Sequence, residues 1–492
     1  MARTLMALLI LWLSACASYP ENPPLEAIDS NDGYRFKNLT LGPNNSDETF
    51  VLLSLSGGGM RATALEYGVF AALEAATFGD QGASLLDEVD VITAVSGGAL
   101  PAAYYAAHGR QKFLAAFPDD VLYRQIETDL VLRFLAPWHW PKLWAPYYGR
   151  SELFEEYFDQ VLFQGRTFGD LPDHRPFIVM TATDMTLGAQ FAFVQEHFDR
   201  LCSDLDGVTL ARAVTASIAF PIAFTPMTLN NYDKESCAYE RPDWVDHALD
   251  NEIEANSRRY DRAVNWTTYE ETEARPYIHL LDGGISDNMG LRISKLAMVT
   301  GDTSWGLVEK IARGTVKRLV LIAVDARSRE YLNESADRSP SPPGPVDALI
   351  AAAGNPVDNY ATETIELVRH FLLELQEERD DFDRQRKNCQ ALAESLCTAG
   401  SGSGTCVEDH QALCYREFGL SEAERPNIPE VYIIHLRFEQ IDDPVLRQRL
   451  QRVATSLQLP REDIDLLIDS AKLMLEQSGE YRRLMSDLNR GA

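Results

Sequence analysis

Five short runs in this chain are apolar along most of their length, which leaves neither face of a strand for water. They are FVLLSLS (50–56), VDVITAV (89–95), PFIVMTATDM (176–185), YIHLLDGG (277–284) and KRLVLIAVDA (317–326). Each ends in glycine or polar residues. Helical spacing follows the first two, in MRATALEYGVFAALEAA and GALPAAYYAAHG. Strands buried on both faces need a cover on each side of the sheet, and helical connections supply it. The expected fold is therefore α/β: three layers, with a mostly parallel central sheet and helices on both faces.

The remaining chain divides around that alternation. Residues 1–15 read as a leader, and 16–49 as a tether rich in Pro, Asn and Asp that becomes a structured edge. Residues 50–330 form the core. Residues 331–428 begin as a polar, proline-rich linker and continue as helix. PEVYIIHLRFEQI (429–441) returns to strand character, and the tail to 492 reads as helices. The stretch 331–428 thus reads as an insertion between two strands of one sheet.

The chain of 492 residues carries 45 Lys and Arg against 74 Asp and Glu, a formal net charge of −29. A nucleic-acid partner is excluded on that balance, and so is long-range attraction to an anionic membrane. The leader MARTLMALLILWLSACASYP has one early cation, Arg3, and an apolar stretch from Leu5 to Leu13 too short to span a bilayer. Leu13-Ser14-Ala15-Cys16 resembles the bacterial lipobox. That resemblance implies cleavage before Cys16 and lipidation of this residue. A membrane partner through an N-terminal lipid anchor follows. Ala17 in place of Asp points to the outer membrane of a bacterial envelope.

Six cysteines remain, and an even set in an exported chain suggests disulfides. In CQALAESLCTAGSGSGTCVEDHQALC, cysteines eight apart lie on nearly the same side of a helix, and the Gly/Ser stretch can turn the chain. This predicts a helical hairpin stapled by Cys389–Cys414 and Cys397–Cys406, which leaves Cys202 with Cys237. The close cysteine pairs usual in zinc sites are missing, so no metal is assigned.

Three turns carry the candidate chemistry. VDVITAVSGGALPAAYYAAHG reads as strand, sharp turn and helix with Ser96 at the corner, the layout of a nucleophile elbow. Ala94 stands where that motif has its first glycine, and Gly97 and Gly98 follow the serine. Ser56-Gly57-Gly58-Gly59-Met60-Arg61 also joins a strand to a helix. Backbone N–H groups there can meet a negative oxygen with no side chain in the way. No Lys-Ser/Thr follows the glycines, which disfavours a nucleotide phosphate loop. In YIHLLDGGISDNMG, Asp282 closes an apolar strand and enters the turn Gly283-Gly284. A strand end on a parallel sheet is where ligand chemistry collects.

Taken together, these elements resemble the patatin-like phospholipase family, whose pattern is Gly-Gly-Gly-x-Arg, then G-x-S-x-G, then Asp-Gly-Gly/Ala. GRSELFEEYFDQVLFQGRTFGDLP (149–172), TATDMTLGAQFAF (181–193) and AVTASIAFPIAFTPM (213–227) resemble the same family. The likeness spans roughly 50–330. It implies a patatin-like fold, Ser96 as nucleophile and Asp282 as base. It also implies an oxyanion hole from Gly57, Gly58 and Gly59, with Arg61, Gly98, Gly283 and Gly284 in support and no cofactor. The implied activity is a serine-dependent hydrolysis of lipid esters, phospholipase A or lysophospholipase in type. Two alternatives stay open: a carboxylesterase on other esters, and a non-catalytic envelope lipoprotein that keeps the fold as a scaffold. The sequence identifies no protein partner.

Smaller expectations complete the reading. His279 lies three residues before Asp282 on a strand and should face away from it. His108 reads as a C-terminal cap on the Ser96 helix. Asp287 and Asn288 should brace the Asp282 loop. FLAPWHWPKLWAPYY (134–148) reads either as a lipid-interface segment or as the wall of an acyl pocket or core.

Overall fold

The computed structural model describes residues 22–80, 82–299, 305–328, 340, 344–398, 405–421 and 425–490. The leader, with Cys16 and the cleavage and lipidation expected there, lies outside the described residues, as does most of the linker 329–343.

Eight strands form the central sheet. In chain order they are β1 (Thr49–Leu55), β2 (Val89–Val95), β3 (Phe177–Asp184), β4 (Gln190–Ala192), β5 (Met227–Asn230), β6 (Tyr277–Asp282), β7 (Arg318–Asp325) and β8 (Glu430–Arg437). The order across the sheet is β8-β7-β1-β2-β3-β6-β5, with β4 paired to β3 off that path. The five strands from β8 to β3 are parallel. Every residue of β1, β2 and β3 is buried, because helices cover both faces of the sheet.

One expectation changes here. The run at 277–284 reads in sequence as part of a parallel sheet, but β6 pairs antiparallel with both β3 and β5. Its burial alternates along the strand instead of being continuous, as suits a strand at the antiparallel margin. Asp282 therefore sits at the C-terminal end of a strand that runs against the parallel set.

The helices that position the site are α1 (Gly59–Ala75), α2 (Ala99–Phe117), α3 (Ile126–Leu135), α4 (Arg150–Phe158), α5 (Leu210–Ile218), α6 (Pro345–Thr398), α7 (Cys406–Glu417) and α8 (Arg461–Gln477). Helices α1 and α2 leave directly from the ends of β1 and β2. Helix α8, near the C-terminus, lies against α1. At their contact a Cβ on Gly68 would come within 2.6 Å of the Ile468 carbonyl, so only glycine permits the approach.

Helices α6 and α7 stand between β7 and β8, which are neighbours in the sheet. Cys389–Cys414 and Cys397–Cys406 link the two helices, and Cys202–Cys237 is buried in the core half of the chain. Among the described residues no helix is long and apolar enough to cross a membrane.

The cross-links should differ in weight. Cys202–Cys237 closes 35 residues of chain and Cys397–Cys406 closes 9. Loop-closure entropy assigns them about 4 and about 2.5 kcal/mol. Cys202→Ala/Cys237→Ala should lower the thermal midpoint more than Cys397→Ala/Cys406→Ala. Equal shifts in a melting experiment would contradict the loop-length argument.

Candidate active site

Strand register brings the distant turns together. Leu55 on β1 is level with Ala94 on β2, Val95 with Thr181 on β3, and Ala182 with Asp282 on β6. One residue past Val95, Ser96 falls in the row that ends at Asp282. Two past Leu55, Gly57 falls in the same row. A serine hydroxyl, a carboxylate and a bare backbone therefore meet on one line across four strands.

Ser96 leaves the strand with φ of 51°, a left-handed conformation that a side chain adopts only under constraint. This is the strained corner of a nucleophile elbow. Close packing holds it. A Cβ on Gly97 would overlap the Gly59 backbone, and one on Gly98 would lie 2.9 Å from the Leu55 carbonyl. The Ser96 amide donates to Ser217 Oγ at 2.8 Å, and that hydroxyl donates to the Thr181 carbonyl at 2.7 Å. Ala94 is fully buried in the strand and leaves the corner intact.

The Ser96 hydroxyl donates to Asp282 Oδ2 at 2.7 Å, across 186 residues of chain. Asp282 Oδ1 accepts the Gly284 N–H at 2.7 Å. Burial pushes the Asp282 carboxyl up to about 6, and the hydrogen bonds from Ser96 and Gly284 oppose the shift. A carboxylate of that strength in contact with a serine hydroxyl can take its proton. Gly283 lies against the Thr181 carbonyl and has no room for a Cβ.

The glycine loop departs in part from expectation. The Gly57 N–H donates to the Asn288 carbonyl at 3.1 Å, so this amide is engaged and does not complete a three-donor hole. The cause is the 283–290 turn, which packs directly onto Gly57. Gly58 and Gly59 enter α1, where the first amides have no acceptor within the helix. The next amide, on Met60, donates to the Ser456 carbonyl at 2.8 Å. Arg61 is buried. It donates to the carbonyls of Ala326 and Val453 and to Thr455 Oγ1 at 2.7, 2.9 and 2.7 Å. It holds the loop and does not reach toward solvent for a phosphate.

Asn288 and Asp287 have separate duties. The Asn288 side-chain oxygen fills the space where a Cβ on Gly57 would lie, and it would lie 2.7 Å from a Cβ on Gly284. Asp287 accepts from the amides of Met289 and Arg292 and from Gln190 Nε2, which fixes the turn. His279 faces the other side of β6 and shares a 2.9 Å hydrogen bond with Thr228 Oγ1. Helix α2 is kinked at Gly109, whose φ of 75° is non-helical, so His108 ends its first segment as expected; its Nε2 bonds the Leu162 carbonyl at 2.7 Å and not a carbonyl of its own helix.

Two contributions escaped the sequence reading. Ser217 lies in a stretch quoted only for its family likeness, where a serine in an alanine-rich helix carries no signal of its own. Residues 453–456 grip the glycine loop from the C-terminal tail, and no motif marks them. The cluster Cys397, Cys406 and His410 has metal-ligand chemistry, but its two sulfurs are joined as a disulfide. Beside Gly59 and Gly97 lies an apolar pocket lined by Met60, Leu100, Ile126, Phe154, Phe158 and Leu457. It encloses only about 10 Å³, room for little more than a water.

Residues 53–294 match the family model for patatin-like phospholipases. Among solved structures, human GIVD cytosolic phospholipase A2 matches with a TM-score of 0.40 at 10% identity, over 90% of this chain and 63% of that one. The chain thus spans less than two thirds of that structure's length. No curated protein sequence matches the chain.

A methyl group at Gly57 must displace the Asn288 side chain and press on Ser96 Cβ at 3.2 Å. Gly57→Ala should therefore fold but slow the labelling of Ser96 by a fluorophosphonate at least about 10-fold. Labelling at the unaltered rate, followed by mass spectrometry, would remove the steric role given to this glycine.

Proposed function

We propose, from the premise that this chain belongs through residues 53–294 to the patatin-like phospholipase family, that it is a serine-dependent acyl hydrolase of lipid esters. The observation that carries the reading is the 2.7 Å hydrogen bond from Ser96 Oγ to Asp282 Oδ2 at a strained corner. Ser96 attacks the ester carbonyl while Asp282 takes the hydroxyl proton. The amides of Gly58 and Gly59, at the positive end of α1, face the oxygen that gains charge. The alcohol leaves with a proton from Asp282. Water, deprotonated by the same carboxylate, then cleaves the acyl-enzyme. No cofactor enters this course.

Phospholipids and lysophospholipids are the substrates that the family membership favours, acted on at a bacterial envelope to which lipidated Cys16 would hold the protein. One observation favours a second reading. The pocket beside the glycine turn is nearly closed, so any acyl group must widen it, and a short one demands the smaller change. A panel of phospholipids, triglycerides and short-chain esters distinguishes the two. Turnover of long-chain phospholipid means that the pocket opens to admit the chain.

Ser96→Ala and Asp282→Asn should each lower kcat/KM about 10⁴-fold or more while circular dichroism stays unchanged. A fully active Asp282→Asn protein would rule out the dyad. The base works ionised, so kcat/KM should rise with pH along an acid limb centred at about 6. Stability runs the other way. The folded carboxyl binds its proton more tightly than the unfolded one, so stability is full below the ordinary carboxylate range and declines as pH rises through about 6. Asp282→Asn should remove that decline, as denaturation at pH 5 and 8 can measure.

A further inference from the structure

Residues 131–147 present a largely exposed apolar face. Trp144 is 80% exposed, Trp138 75%, Tyr147 66% and Leu132 62%. Three features give this face a specific occupant. First, it runs counter to the charge of the molecule. Residues 126–150 hold two acidic and three basic residues in a chain of net charge −29. Exposed Trp and Tyr among such residues suit the boundary between lipid chains and head groups.

Second, one helix links the face to the candidate site. Helix α3 starts at Ile126, which lines the pocket beside Gly59 and Gly97, and ends at Leu135, which lines an outer groove of about 1190 Å³ with Trp140 and Trp144. Ten helical residues, about 15 Å, join the two. Third, the N-terminal tether comes off at the same groove. The described chain begins at Asn22, whose side chain accepts from the Asn230 amide at 2.7 Å and donates to its carbonyl at 3.1 Å. Asn230 also lines the groove. Cys16 precedes Asn22 by six residues, a reach of at most about 20 Å.

We propose that this aromatic face docks on the zwitterionic surface of a phospholipid bilayer, with the groove seated on the membrane beside the point where the lipidated tether enters it. The docking takes its purpose from the lipid-ester reading, since it delivers substrate to the end of α3, but it does not require turnover. Neutral lipids are specified because the acidic remainder of the protein opposes anionic ones.

The test uses the mature chain, residues 16–492 carrying Cys16→Ser, which lacks both the apolar leader and acyl anchoring, floated with phosphatidylcholine vesicles. Leu132→Ser/Trp138→Ser/Trp144→Ser should lower vesicle partitioning about 10-fold or more and cut hydrolysis of vesicle lipid with it. Hydrolysis of a soluble short-chain ester should be unchanged. Should the triple variant misfold, quenching of tryptophan emission by brominated phosphatidylcholine, lost in Trp138→Phe/Trp144→Phe, reports the same contact. Equal flotation of parent and variant overturns the proposal. So does a concentration-dependent dimer that the triple variant abolishes while the parent ignores vesicles, because the face then meets a second copy. Flotation that depends on the face, with neither substrate hydrolysed, upholds docking and refutes the enzymatic reading.

Discussion

A single hydrogen bond, from the Ser96 hydroxyl to the Asp282 carboxylate, joins the two halves of the sheet at their most demanding point. Ser96 leaves the parallel half and Asp282 closes a strand of the antiparallel margin. Their meeting requires two strand pairings, β2–β3 and β3–β6, to hold register at once, and a third, β1–β2, brings Gly57 to the same row; a slip of one residue in any of them turns side chains to the opposite face. Full burial of β1, β2 and β3 on both faces fixes that register. The apolar runs that make the core are thus also what aligns the chemistry.

The turns around this bond are compressed from several sides. Gly57 meets Asn288, Gly97 meets Gly59, and Gly59 meets Ser456, whose carbonyl would lie 2.6 Å from an added Cβ. Arg61 binds the same loop to Ala326 past β7 and to Val453 and Thr455 in the tail. The segment that matches the family ends at residue 294. The glycine turn nevertheless depends on residues beyond that end for its shape. Cutting the chain after residue 294 would remove three acceptors of a buried guanidinium, a far larger loss than a lost surface contact.

Much of this was legible in sequence. Mostly apolar runs gave the parallel strands, and glycine turns after two of them gave Ser96 and the loop. Cysteines eight apart gave the hairpin links. The direction of β6 was not legible, because YIHLLD alternates only weakly and its pairing with β5 depends on chain 50 residues earlier. The engagement of the Gly57 amide was hidden for the same reason: its acceptor is the carbonyl of Asn288, and backbone acceptors leave no mark in residue type. Ser217 acts through its hydroxyl, and residues 453–456 through two carbonyls and the Thr455 hydroxyl, in segments with no chemical motif.

Four of the buried carboxyls near the sheet differ in what surrounds them, and the differences bear on the base role proposed for Asp282. Burial in α1 pushes the Glu66 carboxyl well above the carboxylate range, with only the Ser56 amide opposing the shift. Asp90 is raised by burial to about 7 despite Arg175, and it is tied to that guanidinium and to the Val51 amide. Asp325 is buried as well, yet His435 and Arg327 hold it far below the usual range, too weak a base to take a serine proton. Among the described residues Asp282 meets no cation. Two neutral donors offset part of its burial and leave it ionised at neutral pH but more basic than a surface carboxylate. Among these four it is also the one whose oxygen touches a serine in a strained turn, so acidity and geometry select the same residue.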